Sequence, residues 1–353
     1  MSEPLYDHAT LVGFTTALFE AAGLDADKAG TTAHYLVEAD LLGHDTHGLA
    51  QAPGYLRALQ DGTITKTGGP ETVRDRGAVL TWDGRRLPGL WLTVQAIDAA
   101  LARAREFGTA SVAIRRSHHI GCLAAFLERA TDQGMMLLLT CSDPSVSSIA
   151  PYGGTEPLYT PDPVAVGIPT TGDPVLIDIS ASITTNGMTG RLNAQGRKMP
   201  GVWAIDADGN PSDDPAVLFT DPPGTILPIG GLEYGHKGFG LGLMVEALTQ
   251  GLSGHGRADT AEGWGANTFV QALDPDAFDG LDAFTRQTGW LAEAARANRP
   301  RPGVERVRLP GERGLARKRA MLDGGVALYP GIMDSLSTWA QTLDVQQPAP
   351  LGD

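Results

Sequence analysis

The spacing of hydrophobic residues predicts a helical region at the start of the chain. Between residues 8 and 42, apolar side chains recur every three or four positions and are interrupted at Gly23, which is typical of two helices. Asp25 is expected to cap the second helix, and a further helical stretch lies around residues 55–59. We therefore predict a helical region over residues 1–72, packed with the C-terminal helix over residues 310–345.

Short apolar runs alternate with helical patterns in the rest of the chain. The runs that predict strands cover residues 78–82, 110–114, 135–140, 175–178, 203–206 and 269–273. The helical patterns cover residues 91–106, 122–132 and 238–252. Alternation of strands and helices is typical of α/β proteins. We predict an α/β core over residues 73–309, with cofactor-binding and substrate subdomains.

Composition and charge narrow the classes of partner. The chain has 353 residues, 42% of them hydrophobic, and its net charge is 27 − 41 = −14. This excess of carboxylates repels phosphate backbones and anionic lipids, so neither nucleic acid nor a membrane is expected as a partner. The N-terminus lacks the basic and apolar segments of a signal peptide, and Cys122 and Cys141 fit reduced thiols, so a cytoplasmic location is expected.

The first candidate for chemistry is the segment 43–48, Gly-His-Asp-Thr-His-Gly. Two histidines with an aspartate between them can ligate a metal or exchange a proton. A structural interpretation is equally open, in which the segment is the C-terminal turn of a helix and a histidine caps carbonyl groups.

The second candidate is the segment 116–121, Arg-Ser-His-His-Ile-Gly, directly after the predicted strand 110–114. Strand ends are where sites collect in α/β folds, and a histidine suits acid–base catalysis at neutral pH. The alternative is an exposed pair of histidines in a loop.

Glycine-rich and small polar segments suggest anion binding. Residues 230–240 place glycines, His236 and Lys237 at the start of a predicted helix, where backbone N–H groups attract anions. Residues 178–182 place Asp178 and Ser180 after a strand. No G-x-G-x-x-G follows a strand, so a Rossmann nucleotide site is not supported.

Taken together, these segments resemble the malate/L-lactate dehydrogenase family of the sulfolactate dehydrogenase type. The resemblance covers nearly the whole chain and is carried by residues 43–48, 117–121, 150–154, 177–180, 236–238 and 309–311. It implies a non-Rossmann α/β fold with a mixed sheet flanked by helices. It also implies NAD or NADP as cofactor, with NAD favoured, and a homodimer whose subunit interface lies near the site.

The resemblance also implies roles for individual residues. His119 is expected to be the acid–base group, and His47 its catalytic partner, in hydride transfer between the nicotinamide and a small 2-oxo or 2-hydroxy acid. His44 and Gln51 are expected to contact the substrate, and no metal is expected. The residues matching cofactor-binding positions are Ser142, Asp178, Ile179, Ser180, His236, Lys237, Gly311, Glu312 and Arg313.

One departure affects the substrate. The family usually has an arginine where this chain has Gln51. Glutamine cannot form the charged bidentate contact that suits a carboxylate. Either Arg57 or Arg116 replaces that arginine, or the substrate differs from a simple 2-oxo acid.

Two other functions remain open. The first is a reductase of cyclic imino acids, although such relatives tend to carry an acidic residue near Met188. The second is a non-redox metal-binding protein that uses His44, Asp45, His47 and His119. The choice between NAD and NADP also remains open, because Arg191, Arg197 or Lys198 could contact the 2′-phosphate of NADP.

Overall fold

The computed structural model describes residues 4–260 and 263–352. Its helices are α1 (His8–Ala21), α2 (Ala26–Leu42), α3 (Ala52–Gln60), α4 (Gly89–Phe107), α5 (Glu128–Thr131), α6 (Asn186–Ala194), α7 (Gly231–Tyr234), α8 (His236–Glu246), α9 (Leu281–Arg296), α10 (Glu312–Gly324) and α11 (Ile332–Leu343). Over the described residues, none of them is both long and apolar enough to cross a membrane.

The strands form one large sheet and two small ones over the same residues. They are β1 (Leu5–Tyr6), β2 (Glu71–Asp75), β3 (Val79–Asp83), β4 (Thr109–Ser117), β5 (Met136–Ser142), β6 (Val164–Ile168), β7 (Val175–Ile179), β8 (Ala204–Ile205), β9 (Pro211–Ser212), β10 (Thr225–Ile226), β11 (Ala266–Leu273) and β12 (Val326–Ala327). The large sheet has the order β2-β3-β4-β11-β5-β6-β7.

The large sheet is mixed, as the sequence predicts. β3 and β4 are parallel and are joined by α4, which makes a βαβ unit. β11 lies between β4 and β5 and is antiparallel to both. The central strand of the sheet therefore comes from late in the chain. As a result, the end of β4, where the second histidine motif lies, is next to the residues just before β11.

Some local predictions need correction. The predicted helix 122–132 contains only a 3₁₀ turn (Ala124–Phe126) and the single turn of α5. The predicted strand 203–206 is only two residues long. The helix predicted over 238–252 ends at Glu246 and continues as a π-helical turn. In the first two cases hydrophobic side chains are buried by tertiary packing, whereas Leu243, Met244 and Leu252 in the third are exposed. In none of the three does the hydrophobic spacing report one regular element.

The core joins the two ends of the chain. β1 pairs with β12, and α11 contacts both α1 and α3. α10 packs against α2. One hydrophobic cluster includes Leu18 and Leu36 from the N-terminal helices, Ile97 from α4 and Leu336 from α11, all nearly or fully buried. These contacts fix the end of α2, where the first histidine motif begins.

Candidate active site

The first histidine motif is a tight loop packed on a buried carboxyl group. α2 ends at Gly43, whose φ of +89° is the left-handed conformation that terminates helices. The Asp40 carboxyl group accepts a hydrogen bond of 2.8 Å from the backbone N–H of Leu49. A Cβ atom on Gly48 would lie 2.4 Å from this carboxyl group, so only glycine allows the contact. Asp40 therefore fixes the far end of the loop.

Burial gives Asp40 an unusual protonation state. Its carboxyl group is 2% exposed, and desolvation raises its pKa from 3.8 to about 7. The hydrogen bond from Leu49 and the charges of Arg317 and Arg191 oppose this shift, whereas Asp45 adds to it. Near neutral pH the group thus carries its proton for much of the time.

Two short contacts orient His47 within the loop. Its Nδ1 lies 2.8 Å from the Thr46 hydroxyl. The Gln51 amide donates a hydrogen bond of 2.7 Å from Nε2 to the Thr46 carbonyl. Gln51 therefore braces the histidine loop from the turn that precedes α3.

The second histidine motif follows β4 and packs against the start of α4. The backbone N–H of His118 donates to the Leu87 carbonyl at 3.1 Å. A Cβ on Gly89 would lie 2.1 Å from the His118 carbonyl oxygen and 2.4 Å from that of His119. A glycine at the first position of α4 is thus required for the backbone of both histidines to lie where it does.

The surroundings of His119 decide which ring nitrogen holds its proton. The Tyr55 hydroxyl lies 2.7 Å from Nδ1, and the backbone N–H of Gly121 donates to the same nitrogen at 3.4 Å. A backbone N–H can only donate, so Nδ1 of the neutral ring is the acceptor and the proton is on Nε2. His119 therefore has its proton on the nitrogen that neither group contacts.

The structure brings the two predicted catalytic histidines together. The His47 and His119 ring centroids are 6.1 Å apart, with an angle of 29° between the rings. Trp264 stacks on His119 at 5.0 Å. Burial lowers the pKa of both histidines, and their mutual repulsion lowers that of His119 further. Without ligand, both rings are neutral at pH 7.

His118, unlike His119, has a structural role. It is 2% exposed, and its ring meets Trp264 edge to face at 4.8 Å. Burial lowers its pKa to about 3. His118 therefore packs inside, and His119, which is partly exposed, is the member of the pair that can reach a ligand.

A second group of side chains lies next to the histidine loop. Oδ2 of Asp178, near the end of β7, accepts a 2.8 Å hydrogen bond from the Ala124 N–H and lies 3.6 Å from the Cys122 sulfur. His44 completes this group, with its nearest ring nitrogen within 4.8 Å of the other two ligand atoms. Asp178 also acts electrostatically on His47, which it favours in the charged form.

The segments predicted to hold the cofactor meet around β7. The Leu176 N–H donates to the Pro310 carbonyl, and a Cβ on Gly311 would lie 2.6 Å from Leu176, which brings residues 311–313 beside β7. Past its end, a Cβ on Gly238 would lie 2.6 Å from the Ala181 carbonyl oxygen. The start of α8 therefore lies against the segment 178–182, and His236 and Lys237 are exposed there.

Four of the predicted cofactor residues have partners within the protein or face solvent. The Ser142 hydroxyl is buried and contacts the side chains of Thr249 and Gln250. The Glu312 carboxylate accepts from the Leu309 N–H at 3.0 Å, just before the start of α10. Arg313 is exposed on the first turn of the same helix, and Ile179 is exposed at the end of β7.

The groups that could contact a dinucleotide are backbone N–H groups and a few side chains. The close contacts at Gly238 and Gly311 let the start of α8 and residues 311–313 pack against β7 and the segment after it. The start of α8 adds helix N–H groups and the charge of Lys237 to this surface. This donor set suits the phosphates of a nucleotide.

Sequence reasoning missed Tyr55, Trp264 and Asp40. Tyr55 is four residues after Gln51 on the same helical side, and this spacing was an available signal. Trp264 and Asp40 reach the site only through the fold, since neither lies within a histidine motif.

Comparisons with known proteins identify the family of the chain. The family model for malate/L-lactate dehydrogenase matches residues 6–337. The chain belongs to the malate/L-lactate dehydrogenase family. An L-lactate dehydrogenase of Cupriavidus necator is 33% identical over 338 residues, which are 94% of this chain and 95% of that protein.

Solved structures of the family confirm the fold. The sulfolactate dehydrogenase from Methanocaldococcus jannaschii has a TM-score of 0.87 and 25% identity, and covers 97% of this chain and 98% of its own. The delta1-piperideine-2-carboxylate reductase from Pseudomonas syringae pvar. tomato has a TM-score of 0.82 and 26% identity, over 95% and 99%. The predicted family and fold are therefore confirmed. The protein is an oxidoreductase of a hydroxy-acid dehydrogenase family, and membership of this family implies a nicotinamide cofactor.

Proposed function

We propose that this enzyme transfers a hydride between NAD(P) and a small 2-oxo or 2-hydroxy acid, with His119 as the acid–base group. The observation that carries the proposal is the pair of imidazoles, 6.1 Å apart, at the end of β4 and beside Asp178. His119 has a fixed orientation and a proton on Nε2, which is what a donor to a carbonyl oxygen requires.

When bound, the nicotinamide supplies the hydride. His119 provides the proton for the carbonyl oxygen in reduction, or accepts it from the hydroxyl in oxidation. A carboxylate bound beside the two rings favours the charged imidazole, which raises the lowered pKa of His119 toward the working pH. The Tyr55 hydroxyl can donate to Nδ1 or accept from it, and so it accommodates both protonation states.

The substrate's acid group is proposed to contact Gln51 and His44. Of the two alternative cations, Arg57 packs over the Trp339 ring at 5.6 Å and Arg116 forms an ion pair with Asp83 at 2.9 Å. Both therefore already have protein partners. A neutral amide at Gln51 gives weaker attraction than a guanidinium, so we expect modest affinity for simple 2-oxo acids.

NAD is the favoured cofactor. Arg191 forms an ion pair of 2.8 Å with Asp45, and Lys198 forms one of 2.8 Å with Asp213. Two of the three cations suggested for a 2′-phosphate thus have carboxylate partners. Equal or better kcat/KM with NADPH than with NADH would contradict this preference.

The experiment that tests the proposal is a panel of 2-oxo acids with NADH and NADPH. The variants are His119→Gln, Gln51→Arg and, as a control on the surface of α1, His8→Gln. We expect His119→Gln to lower kcat by about 10²- to 10⁴-fold and His8→Gln to change it little. Gln51→Arg is expected to lower KM for 2-oxo acids. Full activity of His119→Gln would overturn the proposed role.

A second candidate is reduction of a cyclic imino acid, because a solved neighbour is a delta1-piperideine-2-carboxylate reductase. Against it, the position suggested for an acidic residue is Met188, which is 39% exposed on α6. Comparing turnover of a cyclic imine with that of pyruvate separates the two functions.

The metal-binding alternative has less support. Asp45 is paired with Arg191, and Nδ1 of both His47 and His119 has a hydroxyl partner. These contacts occupy much of the ligand set suggested by the sequence.

A cytoplasmic location stays a prediction. We also propose that the enzyme is a homodimer, as its resemblance to the malate/L-lactate dehydrogenase family implies. α8 and the turn after it expose Leu243, Met244 and Leu252 by 54%, 43% and 56%. This face adjoins His236 and Lys237, so its burial by a second copy would place the interface near the proposed cofactor site. Light scattering of Met244→Glu should show monomer, whereas Phe278→Glu, at a distant exposed position, should leave the dimer intact.

A further inference from the structure

Three side chains with different ligand atoms meet beside the histidine loop. His44 follows α2, Cys122 follows β4, and Asp178 lies near the end of β7, so the group exists only in the folded chain. One nitrogen, one sulfur and one carboxylate oxygen from these residues lie within 4.8 Å of one another. The geometry of this group can be compared with that of a metal centre.

The distances fit a tetrahedral cation. With bonds of about 2.3 Å to sulfur and about 2.1 Å to oxygen, a tetrahedral zinc ion separates these two ligands by about 3.6 Å. The Cys122 sulfur and Asp178 Oδ2 are 3.6 Å apart. His44 is half-buried, so a side-chain rotation can bring its nitrogen in by the remaining distance of about 1 Å.

The ligand chemistry selects the kind of cation. A thiolate with an imidazole and a carboxylate favours zinc and similar ions over magnesium or calcium, which prefer oxygen alone. The Ala124 N–H already orients Asp178, as outer contacts do in metal centres.

We propose that His44, Cys122 and Asp178 form a binding site for a thiophilic divalent cation, with a solvent molecule as the fourth ligand. On binding, the S–H bond of Cys122 breaks, its proton passes to solvent and a sulfur–metal bond forms, with no change in oxidation state. Without the cation, the Cys122 thiol lies 3.6 Å from Asp178 Oδ2.

Occupancy of this site is inhibitory. This consequence rests on the proposed function, in which Asp178 contributes to cofactor binding and His44 contacts the substrate. A cation that holds both residues removes them from those roles. The binding itself is independent of catalysis, so the two parts can be tested separately.

The test uses the full chain, treated with a chelator and then titrated with Co²⁺ under reducing conditions. We expect one Co²⁺ per chain, with a thiolate-to-cobalt absorption band in the near ultraviolet and visible bands of a four-coordinate ion. Cys122→Ala should remove the charge-transfer band and weaken binding by about 100-fold or more. Cys141→Ala is the matched control, because Cys141 lies in β5 outside the group, and it should keep the band.

His44→Gln provides a second arm in case Cys122→Ala fails to fold. It should keep the thiolate band and weaken binding. A Co²⁺ spectrum with no thiolate band, or a band that survives in folded Cys122→Ala, would overturn the site. The inhibitory role requires that micromolar Zn²⁺ inhibit the wild type reversibly and spare Cys122→Ala. An enzyme inactive on every oxo acid would still show the cobalt spectrum, so failure of the proposed function is distinguishable.

Discussion

The hydroxyl of Tyr55 is the closest polar group to the ring of His119, and it sets how that ring can ionise. The neutral ring accepts from the hydroxyl at Nδ1, and the charged ring donates to it. Trp264 stacks on the same ring, and burial lowers its pKa. The hydroxyl is thus the group that offsets part of the desolvation of the imidazolium.

Replacing this hydroxyl should change the pH dependence of reduction. In Tyr55→Phe the imidazolium loses its acceptor, so the pKa of His119 falls further and the loss of activity with rising pH occurs at lower pH. A hydrogen bond to a charged group contributes about 1.5–3 kcal/mol, so kcat/KM near neutral pH should fall about tenfold or more.

The pH profile of kcat/KM measures this effect, with Tyr35→Phe as the control. Tyr35 is also a buried tyrosine, but it stacks on Phe126 away from the histidine pair. An unshifted profile for Tyr55→Phe would show that the hydroxyl does not act on His119.

Asp40 should make the folded enzyme more stable at low pH than at high pH. Its pKa is about 7 when folded and 3.8 as a free side chain, so between these values the folded state binds more protons than the unfolded state. The free energy of unfolding therefore falls as pH rises from about 4 to 7, and this loss is complete above pH 7.

Asp40→Asn keeps an oxygen acceptor for the Leu49 N–H and removes the titration. We expect its free energy of unfolding to vary less between pH 4 and 8 than that of the wild type, by on the order of a few kcal/mol. Urea unfolding across this range measures the difference, and parallel curves for the two proteins would contradict it.

At the scale of elements, the start of α4 and the end of β4 are packed backbone to backbone. No side chain fits between Gly89 and the carbonyl groups of His118 and His119. The βαβ unit of β3, α4 and β4 therefore fixes the position of His119, the proposed acid–base residue, through a main-chain contact. A change at this contact should affect stability and catalysis together.

Gly89→Ala tests this contact. The added methyl group forces the histidine backbone to move, and we expect a loss of about 1–3 kcal/mol in the free energy of unfolding, with a lower kcat. Gly30→Ala in α2 is the control, because its Cβ would meet nothing within 4 Å. There the substitution should stabilise the helix by about 0.5–1 kcal/mol. Equal effects of the two substitutions would exclude the proposed packing.

Elements with a strong apolar pattern could be predicted from the sequence, and others could not. α2 and α4 bury a continuous face and were predictable. α10 buries only Leu315, so it has little apolar pattern to recognise. The place of β11 between β4 and β5 depends on long-range pairing that no local pattern encodes.

The same distinction applies to the site. The histidine motifs and the glycine-rich segments were visible as local patterns in the sequence. The contact of Tyr55 with His119 joins residues 64 positions apart, and that of Cys122 with Asp178 joins residues 56 apart. Such contacts arise from the fold, and so only the structure could reveal them.

At the scale of the whole molecule, a half-buried lysine links the two ends of the chain to the core. Lys318 of α10 contacts the carboxylates of Glu38 in α2 and Glu128 in α5, the latter at 2.7 Å. The lysine side chain is 22% exposed and that of Glu38 is 8% exposed, and burial raises the pKa of Glu38. The predicted unit of residues 1–72 and 310–345 would depend on this charge cluster.

Lys318→Met should therefore destabilise the protein by about 3 kcal/mol, because it leaves two neighbouring carboxylates without their cation. Without Lys318, the pKa of Glu38 rises further above its unfolded value, so the loss should be smaller at pH 5, where the group is partly protonated, than at pH 8. Lys198→Met is the matched control: its ion pair with Asp213 is exposed by 68% and 44%, and such pairs contribute at most about 1 kcal/mol. Urea unfolding at both pH values gives the comparison. If the two lysine variants lost the same stability at pH 8, the charge cluster would not hold the ends of the chain together. The packing of α11 on α1 and α3, and of α10 on α2, would then do so.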